Sequence, residues 1–166
     1  MAINTGPNFG QEKTDKAVRF YAGYYVVAGA TTHQGPTIMM SWPGVLGKIR
    51  LFVFGQSMAW GTYEERGGGM EYSILLNSAE SDFRYRITGG ISYSAENLIG
   101  ETALPEKLLA IYIGGSVLYD ISKKLSLEAT LAPAYTSLVY LPVHSLMRDT
   151  ISKLGVVARV SLKIGL

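Results

Sequence analysis

The chain has 166 residues, a formal charge of +2, 17% charged and 48% hydrophobic residues, 19 glycines, 11 tyrosines and no cysteine. That length fits one compact domain, the missing cysteine excludes disulfide scaffolds and cysteine-ligated zinc, and the small net charge gives no basis for nucleic-acid binding. The mean hydropathy of +0.17 points toward a membrane, yet the long uncharged stretches 20–47 and 129–147 are broken by Pro36, Pro43, Pro133 and Pro142. Neither is a spanning helix.

Residues 1–16 are polar, carry the loop formers Gly6, Pro7, Asn8 and Gly10, and read as a flexible leader. No signal peptide is visible in them, and this does not argue for the cytoplasm. Residues 17–166 read as one β-barrel domain of about eight strands, each alternating apolar and polar with a period of two. The first, about 17–29, places Val18, Phe20, Ala22, Tyr24, Val26 and Ala28 on one face. The second, around 37–42, offers Ile38, Met40 and Trp42. The third, about 48–61, has Ile49, Leu51, Val53, Gly55, Ser57 and Ala59, but its opposite face also holds Phe52, Phe54, Met58 and Trp60, so its register is the most ambiguous.

The fourth strand contributes Met70, Tyr72, Ile74 and Leu76, and the fifth Phe83, Tyr85, Ile87, Gly89, Ile91 and Tyr93. The sixth gives Leu109, Ile111, Ile113, Gly115, Val117 and Tyr119. The seventh gives Leu125, Leu127, Ala129, Leu131, Pro133 and Tyr135, where Pro133 predicts a bulge or local break because it cannot donate to a ladder. The eighth alternates from Leu154 to Leu166.

These apolar faces contain no charged residue. A charge at the lipid midplane of a barrel costs about 2–4 kcal/mol, enough to keep it off such a face. Short links at 43–47, 78–82 and 120–124 alternate with longer ones expected at 30–36, 63–69, 97–106 and 141–149, a habit of outer-membrane barrels. A soluble barrel with an apolar interior would show the same alternation, but it would present a Lys/Glu-rich exterior, whereas the polar faces here are mostly small residues with interspersed Arg and Glu. Aromatic residues cluster toward strand ends: Phe20, Trp42, Phe83, Tyr85 and Tyr119 near the short-turn rim, Tyr93 and Tyr135 toward the other. That placement matches two interfacial girdles.

The segment from Leu118 to Leu127, an aromatic–Asp tight turn leading into an alternating strand, resembles a periplasmic hairpin of small bacterial outer-membrane β-barrel proteins such as the OmpA transmembrane domain and OmpX. The terminal strand resembles the assembly signal of that superfamily, although the chain ends in Leu166 where an aromatic residue is usual. The resemblance covers residues 17–166 as architecture only. It implies an all-β, eight-stranded antiparallel up-and-down transmembrane barrel in the bacterial outer membrane, with lipids, lipopolysaccharide and the outer-membrane assembly machinery as partners, monomeric, and without nucleic acid, cofactor or metal.

The polar faces carry Arg19, Arg50, Arg84, Arg86, Arg159 and Lys163 against Glu71, Asp120 and Glu128, a lumen excess of three positive charges. An eight-stranded barrel is just wide enough to be filled by its own side chains, and buried charges must be paired. The expected role is therefore a structural plug in a protein with a structural or surface-interaction function, with a narrow anion-leaning pore as the first alternative. A second alternative is a lipid A acyl hydrolase or transferase using His144, Ser145 and Asp149, which needs those groups within hydrogen-bond reach. A third is a soluble lipocalin-like barrel. The run 67–69 of three glycines lacks the strand–loop–helix context and following Lys-Ser/Thr of a phosphate loop, and is expected at a loop tip. His33 is expected in the first loop, and Leu98, Ile99 and Leu104 in the third as a modest binding surface.

Overall fold

A computed structural model describes residues 18–44, 47–57, 63–76, 82–98, 106–122, 125–139 and 150–164. The expected leader, the trio His144, Ser145 and Asp149, and the loop residues Ile99 and Leu104 lie outside them. Eight strands follow in order: β1 (Arg19–Ala28), β2 (Thr32–Pro43), β3 (Lys48–Ser57), β4 (Tyr63–Leu75), β5 (Phe83–Leu98), β6 (Glu106–Asp120), β7 (Leu125–Val139) and β8 (Thr150–Ile164). Each pairs antiparallel with its neighbour in sequence, and β1 pairs with β8 from Phe20↔Ile164 to Ala28↔Val156, so the sheet closes on itself. Closure leaves no edge strand with unsatisfied backbone groups, a condition for a sheet that sits in lipid.

The alternation dictates what faces where. Ile38, Leu51, Val53, Ile87, Ile113, Leu131 and Val160 are exposed on the outer wall. Arg50, Glu71, Glu128, Thr88 and Thr136 are buried inside. This inverts a soluble protein, in which exposed positions are mainly polar and charges are rarely buried. Phe83 and Tyr119 stack across β5 and β6 with ring centroids 4.7 Å apart, and Tyr85 is exposed one step further along the strand. The aromatic girdle expected at the short-turn rim is present there.

The turn after β6 is stabilised by Ser122 and Leu125: Ile121 N and Ser122 N both donate to Leu125 O at 3.0 Å, and Leu125 N donates to Ser122 Oγ at 3.1 Å. The turn after β2 closes with Gly44 N donating to Gly47 O at 2.7 Å. The faces of β3 follow the proposed register, with Leu51 and Val53 outward and Phe52 and Phe54 in the lumen. The described strand runs to Ser57, and residues 58–61 of the expected strand lie outside the described residues. At Pro133 the ladder to β6 passes from Tyr112↔Ala134 to Gly115↔Leu131 with unchanged register, while pairing to β8 is continuous. The feature is a local break without a bulge.

Two expected loops are strand. Residues 32–36 belong to β2, which is joined to β1 by residues 29–31, where Gly29 N donates to Thr31 O at 2.9 Å. Residues 63–69 belong to β4, including all three consecutive glycines. Their role is steric. A Cβ on Gly67 would lie 2.4 Å from the Phe54 ring, and one on Gly69 would lie 2.7 Å from the Phe52 ring. The glycines give these two lumen rings their space, so the run is a groove in the wall rather than a loop tip.

Candidate functional site: the charged lumen

The lumen is layered along the barrel axis. At the level of the tight turns lie Arg19, Lys48, Arg84, Asp120, Ser126 and Lys163, contributed by β1, β3, β5, β6, β7 and β8. Above them lies an ion cluster built on two carboxylates from opposite walls. Glu71 on β4 accepts two bonds from Arg159 of β8, at 2.8 and 2.7 Å, one from Arg50 of β3 at 3.0 Å and one from the Tyr112 hydroxyl of β6 at 3.0 Å. Glu128 on β7 takes both terminal nitrogens of Arg50, Nη2 at 3.0 Å, and lies 3.3 Å from Arg86 of β5. Arg159 also reaches Thr130 Oγ1 at 3.2 Å.

The planar, forked donors of Arg suit these bidentate contacts, and the aromatic neighbours complete the desolvated surroundings. The Arg50 guanidinium lies 5.4 Å from the Tyr21 ring centroid, and that of Arg159 lies 5.9 Å from the Phe52 centroid. Gly90 is part of the same geometry, since a Cβ there would stand 2.7 Å from the Tyr112 hydroxyl and 2.8 Å from Glu71 Cβ.

Over the ion cluster sits an apolar layer of Tyr25, Met39, Phe52, Phe54, Tyr112, Ala132 and Val157. Tyr25 packs at 5.0 Å from Phe52 and 4.7 Å from Phe54, centroid to centroid, and donates its hydroxyl to Ser92 at 2.8 Å. Nearer the loop rim, His33 Nδ1 lies 3.0 Å from Glu65 Oε1, and Gln56 Nε2 donates to Glu65 Oε2 at 3.2 Å. The turn 29–31 leans over this end, with Ala30 N donating to Thr136 Oγ1 at 3.0 Å and Ala30 packed on the apolar layer.

Every one of the nine expected lumen charges faces inward. Five of them, Arg50, Glu71, Arg86, Glu128 and Arg159, form the central cluster; Arg84 pairs with Asp120, which also accepts from Ser126. Arg19 and Lys163 stand with them at the turn side. The structure adds Lys48, His33 and Glu65, the last two because their segments are strand rather than loop. Lys48 begins an alternating strand in phase with Arg50, a signal that was legible. With these additions, seven cationic side chains face four carboxylates among the described residues, and the excess of three persists. It is not spread evenly: on the strands of the turn-side layer Arg19, Lys48, Arg84 and Lys163 face Asp120, with Asp82 at the rim of the same mouth, whereas the central cluster holds three arginines and two glutamates.

No family model matches the sequence, and no curated protein matches it. Among solved structures, the chain is similar to Neisserial surface protein A, with 9% identity over 90% of this chain and 96% of the other and a TM-score of 0.53. A major outer membrane protein from Thermus thermophilus matches with 13% identity, 89% and 98% coverage and a TM-score of 0.47. The likeness to Neisserial surface protein A is one of fold: both ends of the sheet meet, and this chain is an eight-stranded antiparallel up-and-down barrel.

Proposed function

We propose that the chain is an integral protein of the bacterial outer membrane, with a structural or surface-interaction role and a lumen closed by its own side chains. The observation that carries this reading is the inverted wall. Apolar side chains cover the outside, and the inside holds an ion cluster fully withdrawn from water. Around Arg66 and Lys107, the outward charged positions of β4 and β6, the apolar face gives way to charge at the loop rim, as expected where a wall leaves lipid.

Closure is supported by the continuous layers from the central cluster through Tyr25, Phe52 and Phe54 to the turn 29–31. The charges of the central cluster serve this role by pairing with each other across the barrel. The expected gel behaviour follows: refolded protein needs detergent and migrates faster unheated than boiled. A monodisperse β-rich monomer in detergent-free buffer would overturn the membrane reading. In planar bilayers the wild-type protein is expected to give no steady conductance. A steady anion-selective current, altered by Arg86→Ala, would replace the closed lumen by a narrow pore.

A further inference from the structure

We infer that the turn-side mouth of the barrel is a binding site for a phosphate group, free or carried on a small headgroup. A cavity of about 440 Å³ opens there, lined by Arg19, Asp82, Arg84, Asp120, Ser122 and Lys163. Lys163 is 7% exposed, its backbone is held in the β1 and β7 ladders, and its side chain makes no hydrogen bond or ion pair among the described residues. Its charged neighbours are Arg19, Arg84 and Arg86, with Asp120 as the opposing carboxylate. That carboxylate is already committed, since Arg84 reaches both of its oxygens and the Ser126 hydroxyl donates to one. An ammonium set among other cations at the mouth of a barrel, with its one nearby carboxylate committed elsewhere, favours an incoming anion.

The chemistry selects the ligand. Lys163 offers up to three N–H donors as a compact charge, and the Arg19 and Arg84 guanidinium groups are planar donors suited to oxyanions. Asp82 and Asp120 on the same wall disfavour a large polyanion and limit the site to one compact group. The cavity volume lies in the range of small-ligand pockets, so a phosphorylated small molecule fits as well as inorganic phosphate. The site depends on the barrel and on the turn after β6, and it is separate from the central cluster, so it stands whether the lumen is closed or conducting.

The test uses the full chain refolded in a phosphate-free detergent and titrated with inorganic phosphate by calorimetry. The expected result is saturable one-to-one binding that weakens at least about tenfold in Lys163→Met and persists in Lys163→Arg. Ser122→Asp, an exposed turn substitution that keeps an acceptor for Leu125 N, is a second variant and places a further carboxylate at the cavity. It should weaken binding similarly with unheated gel migration unchanged. Glycerol phosphate in a second arm distinguishes the sources: binding of glycerol phosphate at least about tenfold tighter than inorganic phosphate marks a headgroup site, and equal binding marks a free-phosphate site. No saturable binding of either ligand, or binding unchanged in both Lys163→Met and Ser122→Asp, overturns the inference.

Discussion

At the scale of single residues, Glu128 bears the largest consequence. It takes Arg50 by both terminal nitrogens and approaches Arg86 and Arg159, so its removal leaves three buried arginines short of a counter-charge. Breaking a buried pair by removing one partner costs about 3–5 kcal/mol. Glu128→Ala is therefore expected to lower the stability of the refolded barrel by about that amount, measured as a shift of the urea unfolding midpoint in lipid or detergent. The glycines of the wall give a sharper contrast. Gly67→Ala drives a methyl into the Phe54 ring and should cost about 1–3 kcal/mol by overpacking, with Phe54→Leu restoring much of it. Gly89→Ala faces outward with its nearest neighbour at 3.6 Å, and the same midpoint should barely move. Had Gly67 been a loop tip, as its sequence context suggests, both substitutions would be equally mild.

At the scale of elements, the strands that could be read from alternation are those whose two faces differ throughout their length. Residues 109–119 and 154–164 keep an uncharged outer face throughout, with Tyr112, Leu118 and Val157 as larger apolar residues on the inner one, and β6 and β8 lie where that pattern places them. The upper half of β4 was not legible. The charged triplet Glu64, Glu65, Arg66 and the glycines that follow satisfy every local criterion for a turn, and it is the tight packing of the neighbouring strands, with the Phe52 and Phe54 rings against Gly69 and Gly67, that explains why glycine stands there. The upper half of β2 failed for a related reason: His33 and Gly35 have no alternation partner of their own, and the buried contact of His33 with Glu65 comes from β4. The register of β3, ambiguous because both faces carry aromatics, is resolved by the same rings pointing inward. At Pro133 the missing donor coincides with the gap in the β6 ladder, while the β8 ladder runs through. Pro133→Ala should supply an amide that protects against hydrogen exchange in the folded barrel, with stability rising by about 0.5–1.5 kcal/mol. A fully exchanging amide at residue 133 would show that the gap has another origin.

At the scale of the whole molecule, inward charge, outward hydrocarbon and closure were all implied by the one-dimensional pattern. The pairing of individual charges was not. Arg50 and Glu71 are cross-strand neighbours and could be matched once the register was known, but Glu128 and Arg159 meet that pair across the lumen from strands that are not its neighbours, which no cross-strand register predicts. The seam between β1 and β8 joins the two ends of the described sheet, and every other pairing is between strands consecutive in sequence. Arg159 rides on β8, the strand that makes the seam, while its main partner Glu71 sits on β4 at the opposite wall. An incompletely rolled sheet would thus keep Glu71 and Arg159 apart while also leaving two hydrogen-bonding edges bare. The consequence is for assembly: the Glu71–Arg159 contact and the β1–β8 ladder belong to the same closed state, so this buried ion pair rewards the rolled cylinder and not the open sheet.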